Sequence, residues 1–476
     1  MDRVMIADLK PYPAYRDSGL PWLGKVPEHW IINPNRAIFR EINDCGHEEA
    51  EMLSVTIKKG IIRQNTLLSG SSKKDSSRQD KSAYKLVQPD DIAYNKMRAW
   101  QGAIGVSEYR GIISPAYIVM RLRSSLNYPR YFHHLYRTPL FAKEAERLSY
   151  GITSDMWSLR SEHFKMIYTP LPPPDEQAAI VRFLNWSNGQ LEKAIRAKRK
   201  VITLLNEQKQ AIIHRAVTRG LDPSVPLKPS GIHWLGDIPA HWELRRISTA
   251  CDLVVDGTHF SPPNESVGEF LYITAKNVKE YGIETSNATY IKAMDHRDIY
   301  RRCPVRKYDV IYIKDGATAG LATVNNLDEE FSMLSSIALL RPKPSVLFPD
   351  FLALSLNDRL FKQNALSKVV GGAMTRFTIA LIKRFPLLIP PLSEQLLIAS
   401  AVNNELNPIL SVQSNIEREI ELLREYRTRL VADVVTGKLD VREAVMNLPD
   451  EALIDLPDNN SVEGLEDEPF EEEAIL

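Results

Sequence analysis

Ser18-Gly-Leu-Pro-Trp-Leu-Gly-Lys-Val-Pro-Glu-His-Trp30 is written into the chain a second time, as Ser230-Gly-Ile-His-Trp-Leu-Gly-Asp-Ile-Pro-Ala-His-Trp242. Eight of the thirteen positions are identical at a constant offset of 212. A second marker, Pro172-Pro-Pro-Asp-Glu-Gln-Ala-Ala-Ile180, returns as Pro390-Pro-Leu-Ser-Glu-Gln-Leu-Leu-Ile398 at an offset of 218, so the second copy has gained six residues between the two blocks. Self-similarity at a long fixed period means one structural unit built twice.

A helical stretch follows each Pro-Pro marker. Alternate steps of four and three from Leu191 reach Ile195, Lys198, Ile202, Leu205, Lys209, Ile212 and Ala216. Adding 218 gives Ile409, Gln413, Ile416, Ile420, Leu423, Arg427, Leu430 and Val434. Both are heptad seams in one register, with polar interruptions that keep either from being an ideal zipper with itself. They close alike, Ala216-Val-Thr-Arg-Gly-Leu-Asp222 against Val434-Val-Thr-Gly-Lys-Leu-Asp440, with Gly220 and Gly437 as helix stops. A helix of about 30 residues is roughly 45 Å long, so an antiparallel pair would set the distance between whatever its ends carry.

Residues 20–171 and 232–389 lie between the markers and alternate short β-type runs with turns, as in Asp91-Ile-Ala-Tyr-Asn95 and Asp309-Val-Ile-Tyr-Ile313. Each reads as a mixed α/β domain. Asp91, Tyr94, Lys96 and Gly102 match Asp309, Tyr312, Lys314 and Gly320 at the offset of 218, and outside such anchors the two regions have diverged. The fold class expected is therefore α/β with a pseudo-twofold internal repeat. The expected division is 1–174, a first helix segment 175–222, 223–391, a second helix segment 392–445, and a tail 446–476.

The net charge of zero over 476 residues conceals an asymmetry, because residues 449–476 hold eleven Asp or Glu and no Lys or Arg. Without them sixty basic residues face forty-nine acidic ones, the balance of a body that meets a polyanion. The tail is too acidic and too poor in aromatics to fold alone, and a disordered appendage is expected. The N-terminal residues have no apolar core of signal-peptide length and no run of 18 apolar residues occurs, so a cytoplasmic protein with no membrane partner is expected. Cys45, Cys251 and Cys303 are scattered without CxxC spacing, which points to buried or idle thiols rather than disulfides or a zinc site.

The duplicated SG..WLG..P.HW block, the PP..EQ marker leading into a long helix and the two divergent regions resemble the specificity subunits of type I restriction and modification systems, over residues 15–445. The resemblance implies two target recognition domains joined by two long antiparallel, coiled-coil-like helices, each domain reading one half of a split, asymmetric sequence in double-stranded DNA. It implies two methyltransferase subunits as partners, which methylate adenine, and two motor-nuclease subunits that complete the restriction enzyme. AdoMet, ATP and magnesium would then belong to those partners, and this chain would hold no cofactor or metal and no catalytic residue. The acidic tail departs from the pattern. Two other readings compete: a self-contained methyltransferase or nuclease, and a solitary DNA-binding regulator.

The residues argue against catalysis within the chain. No GxG occurs for an AdoMet loop, and Ser261-Pro-Pro-Asn264 lacks the terminal ring that stacks on a flipped base. Gly19-Leu-Pro-Trp-Leu-Gly-Lys25 has phosphate-loop spacing, but Val26 supplies no hydroxyl and the second copy has Asp237 at the lysine position. A Trp-anchored packing motif is the better reading. The adjacent His133-His134 point to different helix faces and make a poor chelator, and the recurrence of His29 as His241 suggests a shared structural hydrogen bond.

Residues 58–98 contain ten basic and four acidic residues. Within them Lys73, Lys74, Arg78 and Lys81 sit in a serine-rich loop suited to lie along phosphates, the plain alternative being a solvated loop. Asn95, Lys96, Arg98 and Gln101 follow, the first and last two being types able to make bidentate contacts to adenine or guanine edges. The second region offers Lys276, Asn277, Arg301, Arg302, Lys314 and Thr318, with Arg306 and Lys307 nearby. Lys193, Arg196, Lys198, Arg199 and Lys200 form a basic run on the first helix, either a phosphate contact or a solvated face.

Overall fold

The computed structural model describes residues 9–68, 80–151, 157–369 and 376–449. They are mixed α/β and fall into two compact units, Met1–Ala197 with Arg418–Leu476, and Lys198–Glu417. The acidic residues 450–476, and the candidates Lys73, Lys74 and Arg78, lie outside the described residues.

In the first unit the strands used below are β1 (Ile31–Pro34), β2 (Phe39–Ile42), β3 (Ile92–Asn95), β4 (Ile104–Val106), β5 (Tyr117–Leu122) and β6 (Tyr168–Leu171). A four-stranded antiparallel sheet runs in the order β2-β5-β3-β4, and β1 pairs with β6 beside it. The long helix α1 (Pro174–Arg219) follows at once. In the second unit, β7 (Glu243–Arg246), β8 (Cys251–Asp256), β9 (Val310–Ile313), β10 (Ala322–Val324), β11 (Ile337–Pro342) and β12 (Pro386–Ile389) lead into the second long helix, α2 (Leu392–Val435). Here the four-stranded antiparallel sheet has the order β8-β11-β9-β10, and β7 pairs with β12. A short α3 (Arg442–Met446) ends the described chain.

A charged clamp locks each sheet. Arg121 of β5 donates from Nε and Nη2 to the two oxygens of Asp91 at 2.6 and 2.7 Å. Arg341 of β11 does the same to Asp309 at 2.8 and 2.7 Å. Both aspartates are almost fully enclosed, and each also accepts a backbone N–H from three residues upstream, Gln88 and Arg306. A planar guanidinium is the side chain that satisfies a buried carboxylate in this two-pronged way.

Proline at the first turn, with Asp175 and Glu176 behind it, starts α1; α2 tolerates an internal Pro408. All sixteen seam positions of the two helices are buried or half-buried, and most residues between them are exposed. In the first unit, the core around Phe39, Tyr94, Phe132 and Phe164 takes in Ile180, Phe183 and Leu184 from the start of α1 and Leu430 and Val434 from the end of α2. The core of the second unit, around Val254, Tyr312, Phe351 and Phe377, takes in Ile213 and Val217 from the end of α1 and Ile398 and Val402 from the start of α2. Arg427 meets Glu192 at 3.4 Å in the former, and Arg215 meets Glu405 at 4.0 Å in the latter. Lys209, a polar interruption of the seam, reaches Glu280 at 2.7 Å. Among the described residues no helix is long and apolar enough to cross a membrane.

Candidate nucleic-acid interface

The repeated His-Trp and Glu-Gln markers meet each other. Trp30 donates from its indole nitrogen to Glu176 Oε1 at 2.8 Å, His29 Nε2 lies 2.8 Å from Oε2, and the Tyr12 hydroxyl donates to Oε1. In the second unit Trp242 donates to Glu394 Oε1 at 3.1 Å and His241 Nε2 lies 2.8 Å from Oε2. Gln177 Oε1 accepts from Tyr128 N and its Nε2 donates to Pro172 O; Gln395 repeats this with Phe348 N and Pro390 O. Burial beside the Glu176 carboxylate raises the Tyr12 hydroxyl far above the usual phenol range. These contacts consume the markers in building each unit, and set the loops at the sheet ends apart as the variable surface.

In the antiparallel sheet of the first unit, β2 and β3 run in the same direction, so their C-terminal ends lie at one end of the sheet. The turn after β3 holds Asn95, Lys96, Arg98 and Gln101 together. Asn95 is buried, and its side-chain oxygen accepts from Met97 N at 2.9 Å. Arg98 donates to Gln101 Oε1 at 3.1 Å; both are half-buried, as are Lys96 and Lys81. Trp100 packs edge-on to Trp157 with ring centres 5.4 Å apart, and Leu159 N is tied to Lys96 O.

The corresponding turn of the second unit is built differently. Lys314 is 3% exposed, with its ammonium 3.3 Å from Asp315 and 3.6 Å from Asp256. Asp256 also receives Arg302, and His259 lies 3.3 Å from it. Thr318 is exposed. Phe377 N binds Lys314 O as Leu159 N binds Lys96 O. Arg301 is exposed and 3.3 Å from Asp298. Lys276 is exposed too, whereas its neighbour Asn277 is buried and closes a capping box with Thr274 while donating to Glu284 O. Thus Arg302 and Lys314 are gathered with Thr318's turn, and Asn95, Asn277 and Lys314 face inward.

The sequence reading missed Asp44, His47, Asp256 and His259. His47 Nε2 lies 2.9 Å from Asp44, and the signal was present as Asp-x-x-His at the same offset of 212 as the Trp block. His133 and His134 are packing residues: burial drives the first well below the usual imidazole range and the second down to about 4. Burial likewise pushes the Cys251 and Cys303 thiols up to about 12. Among the described residues no group of three His, Cys, Asp or Glu is placed to hold a metal.

Residues 239–422 match the family model described as the type I restriction modification DNA specificity domain. Over those residues the chain is similar to type I DNA specificity domains. The type I restriction enzyme EcoKI specificity subunit of Escherichia coli (strain K12) is 23% identical over 209 residues, 43% of this chain and 44% of that one. The match thus spans less than half of that curated relative. Among solved structures, a chain from work on complex assembly and conformational transition of the type I R-M system superposes with a TM-score of 0.62 at 16% identity, covering 87% of this chain and 99% of that chain. The HsdS subunit from Thermoanaerobacter tengcongensis gives 0.43 at 17% identity, covering 89% and 100%.

Proposed function

We propose that this chain is the DNA-reading specificity subunit of a type I restriction and modification complex, and that it recognises a bipartite, asymmetric target through one loop-bearing sheet end in each unit. One observation carries this reading: the two units share their frame, down to the Trp-Glu contact, the Gln contact and the Asp-Arg clamp, and differ in the loops after β3 and β9. A shared frame with unlike loops suits the reading of two unlike half-sites. On this reading α1 and α2 form an antiparallel, coiled-coil-like spacer, each unit is a target recognition domain, and a pseudo-twofold axis relates them. The repeated helical surfaces then offer two equivalent sites to two methyltransferase subunits, with two motor-nuclease subunits completing the restriction complex. AdoMet, ATP and magnesium are the partners' equipment, this chain is non-catalytic, and the assembly works in the cytoplasm.

The DNA-facing set on this reading is the half-buried Lys81, Lys96, Arg98 and Gln101 and the exposed Lys276, Arg301, Arg302 and Thr318, with the serine-rich loop of Lys73, Lys74 and Arg78 alongside phosphates. Asn95, Asn277 and Lys314 position those loops from within. Co-purification tests the reading: a complex of one chain with two methyltransferase subunits is expected, and cleavage or methylation of DNA by the purified chain alone overturns it. Inserting two heptads into both long helices is expected to change the preferred gap between half-sites.

A further inference from the structure

We propose that the accessible histidines of the two Asp-x-x-His pairs, Asp44–His47 and Asp256–His259, are contacts to DNA phosphate, one on each unit. The proposal rests on the DNA-reading function and names a pair of residues that act in it.

The two pairs lie at the same end of corresponding edge strands, one register position apart. Asp44 follows β2 by two residues and Asp256 ends β8, which hold the same edge place in the two four-stranded sheets. The lysines that follow the parallel neighbours, Lys96 after β3 and Lys314 after β9, lie at the same sheet ends. Both histidines turn Nε2 toward their aspartate and stay accessible, His47 at 35% and His259 at 54% of the side chain. With Nε2 against a carboxylate, Nδ1 is the ring atom turned the other way. Among the described residues it makes no hydrogen bond in either copy.

The surroundings of the second pair favour an anion. Around Asp256 stand Arg302 and Lys314, then Asp315, whose other neighbour is Arg376 at 3.5 Å. Three fixed cations thus face two carboxylates, one positive charge in excess before the imidazole is counted. In the first unit Lys85 and Lys96 sit close enough to repel one another, beside Cys45 and Glu41, and burial with that repulsion lowers the Lys85 ammonium. Arg121 feels the Asp44 charge as well. An imidazolium between aspartate and phosphate donates at both nitrogens: Nε2–H to the carboxylate, Nδ1–H to the phosphate oxygen.

Repetition decides between phosphate and base. The two units carry unlike loops, and unlike half-sites share no base pattern. What they share is the sugar-phosphate backbone, which positions a protein without specifying sequence. A side-chain pair kept at the same sheet end in both units fits the shared part.

The test uses the full chain, a random-sequence duplex, and the variants His47→Gln, His259→Gln and their combination. Each single variant is expected to weaken binding several-fold, and the slope of log affinity against log salt to shrink by about 0.9 per histidine lost. The double variant is expected to sum the two effects, because the sites lie in separate units. Random-duplex affinity and salt slope equal to the parent's in both single variants overturn the proposal, as does an altered target sequence with unaltered random-duplex binding. Failure of the parent chain to bind any duplex overturns the DNA-reading function itself, which distinguishes the two failures.

Discussion

The turn after β3 runs from Asn95 to Gly102 and the turn after β9 from Lys314 to Gly320, and both close on a left-handed glycine, with φ of 97° and 96°. Between those matched ends they part. The first turn folds its polar groups onto itself through Asn95, Arg98 and Gln101. The second sends Lys314 inward to Asp256 and Asp315 and leaves Thr318 outside. A frame fixed by Asp-Arg clamps and Trp-Glu contacts keeps the ends of a loop in place, so its middle is free to change. That separation of duties allows one chain to carry two different loop surfaces on one frame.

The frame itself is not perfectly doubled, and its differences can be tested in order of size. Glu176 is 5% exposed and holds Trp30, His29 and Tyr12, whereas the Glu394 side chain is 26% exposed and holds only Trp242 and His241. Glu176→Ala strands more buried donors, and a loss of about 3–5 kcal/mol from the first unit is expected. Glu394→Ala is expected to remove about 1–3 kcal/mol from the second. Denaturant titration followed by hydrogen exchange in each unit checks the ranking, and equal losses would erase the distinction.

The helix stops differ in the same direction. A Cβ on Gly437 would stand 2.4 Å from Pro27 and 3.0 Å from Trp30, and one on Gly220 would stand 3.1 Å from Glu394 and 3.2 Å from Trp242. Both glycines have positive φ, 77° and 76°, so alanine is strained at either. Gly437→Ala adds a clash with a rigid ring, and about 2–4 kcal/mol is expected against about 1–2 for Gly220→Ala. Melting temperatures of the two variants, compared side by side, decide it.

A smaller contrast concerns acid. Asp440 and Asp222 correspond at the offset of 218. Burial alone would raise the Asp440 carboxyl, but hydrogen bonds and charge from Arg442 outweigh it and hold it below the usual range. A carboxyl depressed in the folded state stabilises above its unfolded value and loses that effect as pH falls through the folded one. Asp440→Asn is therefore expected to reduce stability at neutral pH and to leave it unchanged in strong acid. Asp222, exposed and held below the usual range by hydrogen bonds with Ser224, is expected to show a smaller dependence of the same sign. Matching acid-unfolding curves for parent and Asp440→Asn would contradict this.

Much of the frame was legible in the sequence because it is held by large, recurring groups. The Trp block, the Glu-Gln marker and the apolar heptads repeat at countable offsets, and the seam positions are indeed the covered ones. What the markers do was not legible. Nothing in the order of residues says that Glu176 accepts from Trp30, since 146 residues separate them and only the pairing of β1 with β6 brings them close. The candidate loops were harder still. Asn95 and Asn277 read as base-reading amides, yet short polar side chains also bond to nearby backbone, and here each caps its own turn. Lys314 reads as an exposed loop cation until Asp256, at the end of a different strand, draws it inward. The Asp-x-x-His repeat was countable from the start, but two residues at diverged strand ends carry little weight until the sheet order places them at matching edges.

The most direct test of the proposed two-headed reader is selection of duplexes from a random library by the chain in complex with the methyltransferase subunit proposed as its partner. Two short, unlike motifs at a fixed gap are expected, with Arg98→Ala and Gln101→Ala altering one motif and Arg302→Ala and Thr318→Ala altering only the other. A single continuous motif, or changes in both motifs from substitutions in one unit, would contradict the account.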